Sequence, residues 1–230
     1  AVEIIACGLV LTTITAVYVR SVLAPREWSL GRRLVEINAF FWSPNIAVDR
    51  SGAVHIAYAD FTQKQVRFYY AKTDAITGRV ESSILMVENS ISLVAPSLVV
   101  DHDGSAHLAW LDGRENRTEI YYGKIAGSPP MRVLERRLSS DSTDCGEPSI
   151  AIDLDKNIHV VWHSKKGESV TTPTDYELFY CKTDKNGSVI LSERMLLPCD
   201  GYYSVKPSLT VDRMNALHLT WIDNLSLIHI

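Results

Sequence analysis

The sequence predicts an all-β fold, a β-propeller of four-stranded antiparallel blades with three full blades and parts of others, preceded by an N-terminal transmembrane helix. Two observations predict the propeller. One pattern recurs four times, about every 52 residues, and within each copy short apolar, β-branched runs alternate with turn residues. These runs lack a helical period. Four short strands in ~50 residues are typical of a propeller blade.

The repeat is clearest in its first half. Its copies are SPNIAVDRSGAVHIAYAD from Ser43, APSLVVDHDGSAHLAWLD from Ala95, EPSIAIDLDKNIHVVWHS from Glu147 and KPSLTVDRMNALHLTWID from Lys206. An aromatic-rich second half ends at Lys72, Lys124 and Lys182. The predicted propeller covers residues 34–224, with blades at about 43–90, 95–139, 147–197 and, in part, 206–224.

Each blade is expected to hold four strands, A to D. Strand A follows the proline, as in residues 97–100, and an Asp such as Asp101 caps the turn into strand B. Gly104 takes the left-handed position of that turn, and Asn215 can do the same in the fourth copy. Strand B holds the repeated His, strand C the aromatic pair, and strand D a run such as residues 83–88.

The start and end of the repeats predict an incomplete ring. Residues 34–36 lie 52 positions before residues 86–88, so the chain is expected to enter on a D strand without A, B or C strands of its own. Because so few strands follow, we expect a truncated gene, with a minimal four-bladed ring as the alternative. Residues 225–230, LSLIHI, match the translated end of a common transposon sequencing adapter and are expected to be non-native.

The N-terminal segment is expected to meet a membrane. Residues 4–19 carry no charge, and together with residues 22–24 the apolar stretch approaches the ~20 residues that span a bilayer. We therefore interpret residues 1–24 as a membrane anchor and 25–33 as a linker, with a cleaved signal peptide or a buried helix as alternatives. The propeller is expected outside the cytoplasm, with secretion as second choice and the membrane orientation open.

Composition excludes several functions. The 230 residues carry 23 Lys+Arg and 27 Asp+Glu, a net charge of −4, which argues against nucleic acid as a partner. The four cysteines form no C-x-x-C pair, so no zinc module is predicted, and Cys145 and Cys199 form either a disulfide or two free thiols. Residues 153–157 resemble half of a calcium loop but lack its Gly and Glu, which favours a capped turn. We predict no metal and no cofactor.

Residues that recur in every blade are expected to be structural, because a catalytic residue is needed only once whereas packing repeats with the fold. This interpretation covers His55, His107, His159, His218, Trp110, Trp162 and Trp221. A neutral imidazole between blades would form a hydrogen bond with a neighbour.

A ligand surface is expected where the loops from B to C and from D to the next A emerge, since alternating strand directions place them on one face. The candidates are Asp60, Asp112, Arg114, Asp223, Trp42, Tyr202 and Tyr203, with Phe40 and Phe41 beside them. Acidic groups suit sugar hydroxyls and aromatic rings suit sugar faces. The alternative is that the acids cap their turns and the aromatics plug the blade junctions.

The repeat P-S-[IL]-x-[VI]-D-x-x-G-x-x-H-[LIV]-x-W-x-D followed by E-[IL]-[YF]-Y-x-K resembles the sialidase-like, BNR-type propeller repeats, over about residues 34–224. The Asp-box of that family is present only as degenerate traces at 73–78 and 183–187, without its Trp. The R-I-P motif that carries the first catalytic arginine of sialidases is missing. The resemblance therefore implies the fold and not the activity.

The expected function is a membrane-tethered ligand-binding or scaffolding module for glycans or surface proteins. Common hydrolase, zinc-protease and nucleotide motifs are missing, which disfavours an enzyme without deciding the question. One alternative is a sialidase-like glycoside hydrolase or polysaccharide lyase with catalytic residues partly on missing blades. Another is an extracytoplasmic sensor domain of a signalling protein.

Overall fold

The computed structural model describes residues 2–3, 15–21, 32–37, 40–62, 65–90, 95–114, 117–140, 142–166, 176–196 and 203–223. Side chains are described within residues 44–60, 66–88, 95–114, 117–140, 144–165, 176–196 and 203–223. All regular elements in these ranges are β-strands. They are β1 (Val2–Glu3), β2 (Thr15–Ser21), β3 (Arg32–Ile37), β4 (Phe40–Val48), β5 (Val54–Thr62), β6 (Gln65–Thr73), β7 (Val80–Ser90), β8 (Ser97–Val100), β9 (Ala106–Asp112), β10 (Glu119–Ala126), β11 (Met131–Arg137), β12 (Ser142–Thr143), β13 (Ser149–Ile152), β14 (Ile158–Lys166), β15 (Tyr176–Thr183), β16 (Val189–Met195), β17 (Ser204–Val211) and β18 (Leu217–Asp223).

Strands β4 to β18 form consecutive antiparallel sheets. β4–β7 make blade 1, β8–β11 make blade 2, and β13–β16 make blade 3, where β12 also pairs with β14. β17 and β18 form the first half of blade 4. The predicted all-β class and the four-stranded antiparallel sheets are confirmed.

The turn from A to B is built the same way in each blade. In blade 2 the carboxylate of Asp101 accepts hydrogen bonds from the amides of Asp103 (2.9 Å) and Ser105 (2.8 Å). Gly104 has a φ of 77°, and Lys156 and Asn215 adopt left-handed φ at the same point of blades 3 and 4. These turns fix where each B strand begins.

The hydrophobic core lies between neighbouring blades. Phe68 of blade 1 packs on Trp110 of blade 2, with ring centroids 5.5 Å apart. Tyr122 of blade 2 shares a buried cluster with Trp162 of blade 3. The B and C strands of blades 1 and 2 are therefore covered by the next sheet, and burial of these aromatic side chains stabilises the stack.

Neighbouring A strands are joined by a repeated hydrogen bond. The side chain just after each A-strand proline accepts a hydrogen bond from a backbone amide of the next blade. The three joints are Leu98 N to Asn45 Oδ1 (3.2 Å), Ile150 N to Ser97 Oγ (3.2 Å) and Leu209 N to Ser149 Oγ (2.9 Å).

The structure does not support the predicted N-terminal transmembrane helix. Residues 15–21 of that segment form strand β2. Residues 2–3 form β1, which pairs with Arg20 and Ser21 at the end of β2. The β-branched Thr15, Val17 and Val19 alternate along β2, a pattern that favours a strand over a helix. No helix among the described residues is long and apolar enough to cross a membrane.

Strand β3 also differs from expectation, since it has partners. β2 pairs with β3, and Glu3 pairs with Arg20 as His55 pairs with Lys72, each residue 52 positions further on. By this register β1, β2 and β3 are B, C and D strands of a further blade. The rest of the anchor, most of the expected linker and the suspected non-native tail lie outside the described residues.

Candidate functional site

Antiparallel pairing gives each blade two distinct ends. The turns from A to B and from C to D lie at one end, here called the turn end. The connections from B to C and from D to the next A lie at the other, here called the loop end. The repeated histidines lie towards the turn end, and the residues predicted to bind a ligand lie at the loop end.

A buried network at the turn end links three residues of each full blade. In blade 2, Nδ1 of His107 lies 2.7 Å from the hydroxyl of Tyr122, and Nε2 lies 3.2 Å from Oδ2 of Asp101. An ionised carboxylate only accepts hydrogen bonds, so Nε2 carries the proton and Nδ1 accepts from the phenol. The same trio recurs as His55, Tyr70 and Asp49, and as His159, Tyr180 and Asp153.

Electrostatics hold this network in one protonation state. Burial lowers the pKa of His107 despite its hydrogen bond to Asp101. Burial acts to raise the pKa of Asp101, but hydrogen bonds from His107 and the Ser105 amide lower it to about 2. Burial raises the pKa of Tyr122. A neutral imidazole, an ionised carboxylate and a neutral phenol, repeated in three blades, suit structural support rather than proton transfer.

Two of the predicted ligand residues are buried at the loop end. Asp60 forms an ion pair with Arg67 of the facing strand, at 3.3 Å. Asp112 accepts hydrogen bonds from Nε1 of Trp110 (3.2 Å) and the amide of Arg114 (3.0 Å), and the Arg114 guanidinium lies 2.8 Å away. Both carboxylates contact groups of their own blade, as residues that cap turns do.

The remaining candidates are more exposed or lie outside the described side chains. Asp223 is half-buried and accepts a hydrogen bond from Nε1 of Trp221 (3.3 Å). Tyr203 is half-buried beside the start of β17. The side chains of Trp42 and Tyr202, and of Cys199, lie outside the described residues, so their roles stay predictions.

The structure gathers a different set of groups at the loop end of blade 3. Asp144, Lys165 and Tyr176 contact one another, and His163 contacts Tyr176; these four residues are here called the blade 3 cluster. The Tyr176 hydroxyl donates to Oδ2 of Asp144 (2.8 Å), and Nζ of Lys165 lies 3.2 Å from the same oxygen. Lys165 also lies over the Tyr176 ring at 4.9 Å, and the His163 ring meets Tyr176 edge-on at 5.5 Å.

Local strand geometry builds the blade 3 cluster. His163 and Lys165 lie at the loop end of β14, and Tyr176 lies opposite them at the start of β15. Strand β12 pairs with this end of β14, so the segment between blades 2 and 3 lies beside it. Asp144 follows in a left-handed conformation, with a φ of 56°. The amide of Gly146 donates to the carbonyl of His163 (2.8 Å), and a Cβ at Gly146 would overlap the imidazole. Glycine therefore makes room for His163.

The ionisation of the blade 3 cluster suits ligand contacts. Burial acts to raise the pKa of Asp144, but hydrogen bonds from Tyr176 and Lys165 lower it, and the bond to Asp144 raises the pKa of Lys165. Burial lowers the pKa of His163, and burial and Asp144 raise that of Tyr176. Nδ1 of His163 is buried without a hydrogen-bond partner among the described residues. The cluster thus presents a charged carboxylate–ammonium pair to solvent, beside a buried imidazole nitrogen that makes no hydrogen bond to the described residues.

The repeat pattern does not predict this cluster, because its members come from β14, β15 and the segment after β12. One signal was present. Blade 2 has Trp110-Leu111-Asp112 at the end of strand B, where blade 3 has Trp162-His163-Ser164. At this departure from the repeat, blade 3 has a histidine where blade 2 has a leucine.

Comparison with known proteins gives likeness in structure only. No family model matches the chain, and no curated protein matches it. An α-L-arabinanase from Penicillium chrysogenum, solved with arabinobiose, has a TM-score of 0.59 at 10% identity over 94% of this chain and 70% of its own. An α-L-arabinofuranosidase from Fusarium graminearum with an iminosugar inhibitor has a TM-score of 0.59 at 12% identity, over 89% of this chain and 66% of its own.

A third likeness extends the comparison to the sialidases. The intramolecular trans-sialidase from Ruminococcus gnavus, solved with oseltamivir carboxylate, has a TM-score of 0.56 at 10% identity, over 90% of this chain and 46% of its own. The fold is a β-propeller. The propeller spans about two thirds of the first two neighbours and less than half of the third, and at such identities the likeness concerns the fold alone.

Proposed function

We propose that this propeller binds carbohydrate at the loop end of blade 3. The observation that carries the proposal is the blade 3 cluster, which among the described residues occurs in blade 3 alone, whereas the turn-end network repeats. An ionised carboxylate accepts hydrogen bonds from sugar hydroxyls, an ammonium donates them, and an aromatic ring packs on a sugar face. Asp144, Lys165 and Tyr176 supply these three groups side by side.

The predicted loop-end residues would form the surroundings of this site. Lys206 of blade 4 lies close enough to His163 for its charge to lower the imidazole pKa. Tyr203, Tyr202 and Asp223 belong to the same blade. Arg114 and Trp42 would extend the surface along blades 1 and 2, with the buried Asp60 and Asp112 holding Arg67 and Arg114 in place, so that a chain of sugars rather than a single unit is the expected ligand.

Protonation in the cluster favours binding over covalent chemistry at Tyr176. Its phenol donates to Asp144, and burial raises its pKa, so the phenolate that could attack a sugar is disfavoured. Hydrolysis with two carboxylates needs an acid and a second carboxylate on either side of the glycosidic bond. The blade 3 cluster offers one carboxylate, Asp144.

A glycan array with the purified chain, followed by calorimetry on the best ligand, tests the proposal. Arabinose-, galactose- and sialic-acid-containing oligosaccharides are the probes. We expect Asp144→Asn to weaken binding by about tenfold or more, and Tyr176→Phe by less, because the first removes a charge-assisted acceptor. Asp103→Asn, a matched change at an exposed turn, should leave binding unchanged. Equal binding by Asp144→Asn, or no binding to any glycan, would overturn the proposal.

Glycoside hydrolysis is the second candidate, favoured by the fold shared with an arabinanase, an arabinofuranosidase and a trans-sialidase. Its test is the release of reducing ends from arabinan and of sialic acid from sialyllactose by the full chain. Product release that disappears in Asp144→Asn would place catalysis, rather than binding alone, at the blade 3 cluster. Release that survives this change would place it elsewhere on the loop end.

A further inference from the structure

The indole nitrogen of Trp162 is buried without a hydrogen-bond partner among the described residues, and its side chain is fully buried. In blades 2 and 4 the tryptophan at the same repeat position donates to an aspartate two residues later. Trp110 donates to Asp112 (3.2 Å), and Trp221 donates to Asp223 (3.3 Å). A buried N–H group without an acceptor is rare in folded proteins because its loss of water is not compensated, so this nitrogen requires an acceptor.

A serine in blade 3 explains why the usual acceptor is missing. Ser164 occupies the repeat position that is aspartate in blades 2 and 4. It has no carboxylate, and its hydroxyl donates to the backbone carbonyl of Lys165 (3.4 Å) rather than accepting from the indole. Because Ser164 is fully buried, the change from aspartate to serine alters the interior of the blade and not its surface.

These groups lie at the junction between blades 2 and 3. Trp162 and Ser164 are two residues apart on β14, so their side chains project to the same side of the sheet. Glu177 of β15 is the cross-strand partner of Ser164 and shares that side, and it is also buried. The side faces blade 2, since Trp162 shares a buried cluster with Tyr122. The loop end of this junction is therefore polar.

A second buried polar atom without a partner lies at the same place. Oγ1 of Thr118, in blade 2, is buried and makes no hydrogen bond to the described residues. The carbonyl of Thr118 accepts a hydrogen bond from the amide of Cys145 (3.2 Å), and Cys145 belongs to the same buried cluster as Trp162. Both blades thus bring an unsatisfied polar group to one junction.

We infer that the loop end of this junction is a binding site for a single water molecule, which accepts from Nε1 of Trp162 and bonds the hydroxyls of Thr118 and Ser164. An indole only donates, whereas a hydroxyl donates and accepts, so one water satisfies all three groups. Buried waters typically make about three hydrogen bonds of this kind. The water replaces the carboxylate oxygen that serves the indole in blade 2. It lies on the opposite side of β14 from His163 and Lys165, so it is distinct from the proposed glycan site.

Nuclear magnetic resonance of the full chain with 15N-labelled tryptophan tests this inference. We expect a cross-relaxation peak between the indole N–H of Trp162 and a long-lived water, and no such peak for Trp110, which donates to Asp112. Loss of one indole signal in Trp162→Phe and of another in Trp110→Phe assigns the two signals. A Trp162 signal without a water contact, or an equal contact at Trp110, would overturn the inference.

Two substitutions test the partners of the water. Thr118→Val keeps the size of the side chain but removes the hydroxyl, so the peak between Trp162 and water should weaken at least severalfold. Ser82→Ala removes another buried hydroxyl without a partner among the described residues, but in blade 1, and should leave the peak unchanged. Ser164→Asp restores the acceptor of the repeat and should abolish the peak. A peak that persists unchanged in Thr118→Val would contradict the site as inferred.

The measurement on the unsubstituted chain needs no variant to fold, so the inference stays testable even where a buried substitution such as Ser164→Asp prevents folding. It is also independent of glycan binding, because it requires no ligand other than water.

Discussion

The two ends of blade 3 carry the same four residue types in different arrangements. At the turn end His159 bridges Tyr180 and Asp153, and Lys182 lies 3.4 Å from the aspartate. The loop end joins Asp144, Lys165, Tyr176 and His163, but there the tyrosine binds the aspartate directly. The side chain of Asp153 is 5% exposed and that of Asp144 is 54% exposed.

The difference shows that the same residue types form a saturated network at one end and, at the other, the exposed cluster that we propose as a ligand site. In the turn-end trio the imidazole uses both nitrogens, and the same trio recurs in blades 1 and 2. In the blade 3 cluster Nδ1 of His163 has no hydrogen-bond partner among the described side chains, and the carboxylate meets solvent. In the turn-end trio every hydrogen-bonding group already has a protein partner. In the blade 3 cluster the exposed carboxylate of Asp144 can exchange water for a ligand.

Acid should have the largest effect, because it acts on all three turn-end networks at once. Burial lowers the pKa values of these histidines, so below pH 6.5 the unfolded chain binds protons that the folded imidazoles do not bind. The free energy of unfolding therefore falls. Asp101 and Asp153, with pKa values of about 2 when folded, add a second loss as the pH falls from 3.8 towards 2. Urea unfolding from pH 7.5 to 3 should show the free energy of unfolding falling as the pH drops below about 6.5, and falling further below 3.8. Constant stability between pH 7.5 and 5 would contradict this account.

Removing one histidine from each end of blade 3 compares how much the turn-end network and the blade 3 cluster contribute to the free energy of unfolding. His159→Ala should lower the free energy of unfolding by about 3 kcal/mol, since it leaves the Asp153 carboxylate and the Tyr180 hydroxyl without a buried partner. His163→Ala should cost less, because its Nδ1 makes no hydrogen bond to the described residues. Thermal and urea unfolding of both variants measure the difference. Equal losses would mean that the blade 3 cluster is as structural as the network.

The substitution Gly146→Ala should displace His163 at the loop end while blade 3 stays folded. The added Cβ overlaps the His163 imidazole, which must move, and overpacking of this kind costs about 1 to 2 kcal/mol. We expect Gly146→Ala to lose glycan binding while its circular dichroism spectrum stays that of a folded chain. Unchanged binding would show that the position of His163 does not matter for the ligand.

The joints between A strands should give the smallest effect. Ser97→Ala removes the acceptor of the Ile150 amide and should cost about 1 kcal/mol. Ser208→Ala, at the same repeat position on the exposed A strand of blade 4, should cost less than about 0.5 kcal/mol. Chemical unfolding resolves the two values. A larger loss for Ser208→Ala would reverse the expected importance of the joint.

Local repetition explains how much of the fold could be predicted from sequence. The expected A strand at residues 97–100 is observed as Ser97–Val100, because its boundaries are set by a preceding proline and a following Asp turn. The predicted N-terminal helix is not supported: an uncharged apolar run suits either a bilayer or a buried strand, and residues 15–21 of this run form strand β2. The alternation of β-branched residues in β2, and its match to β6 at 52 residues, carried the better signal.

The candidate site was less predictable, for a physical reason. Asp60 and Asp112 could be placed at the loop end from strand direction, but their burial depends on side chains of the facing strand and turn, such as Arg67 and Arg114. The blade 3 cluster depends on β12, a short pairing outside the repeat. Sequence periodicity describes what blades share, so contacts that arise where one blade departs from the others escape it.

The hydrogen bond from each A strand to its neighbour has an evolutionary consequence. Asn45, Ser97 and Ser149 each accept an amide from the following blade at the same point, so every junction uses the same parts. If one 52-residue unit were duplicated in tandem, the two copies could form the same hydrogen bond between their A strands that the present blades form. Genes of this kind can therefore gain or lose units by unequal recombination, while each new copy remains free to acquire its own surface.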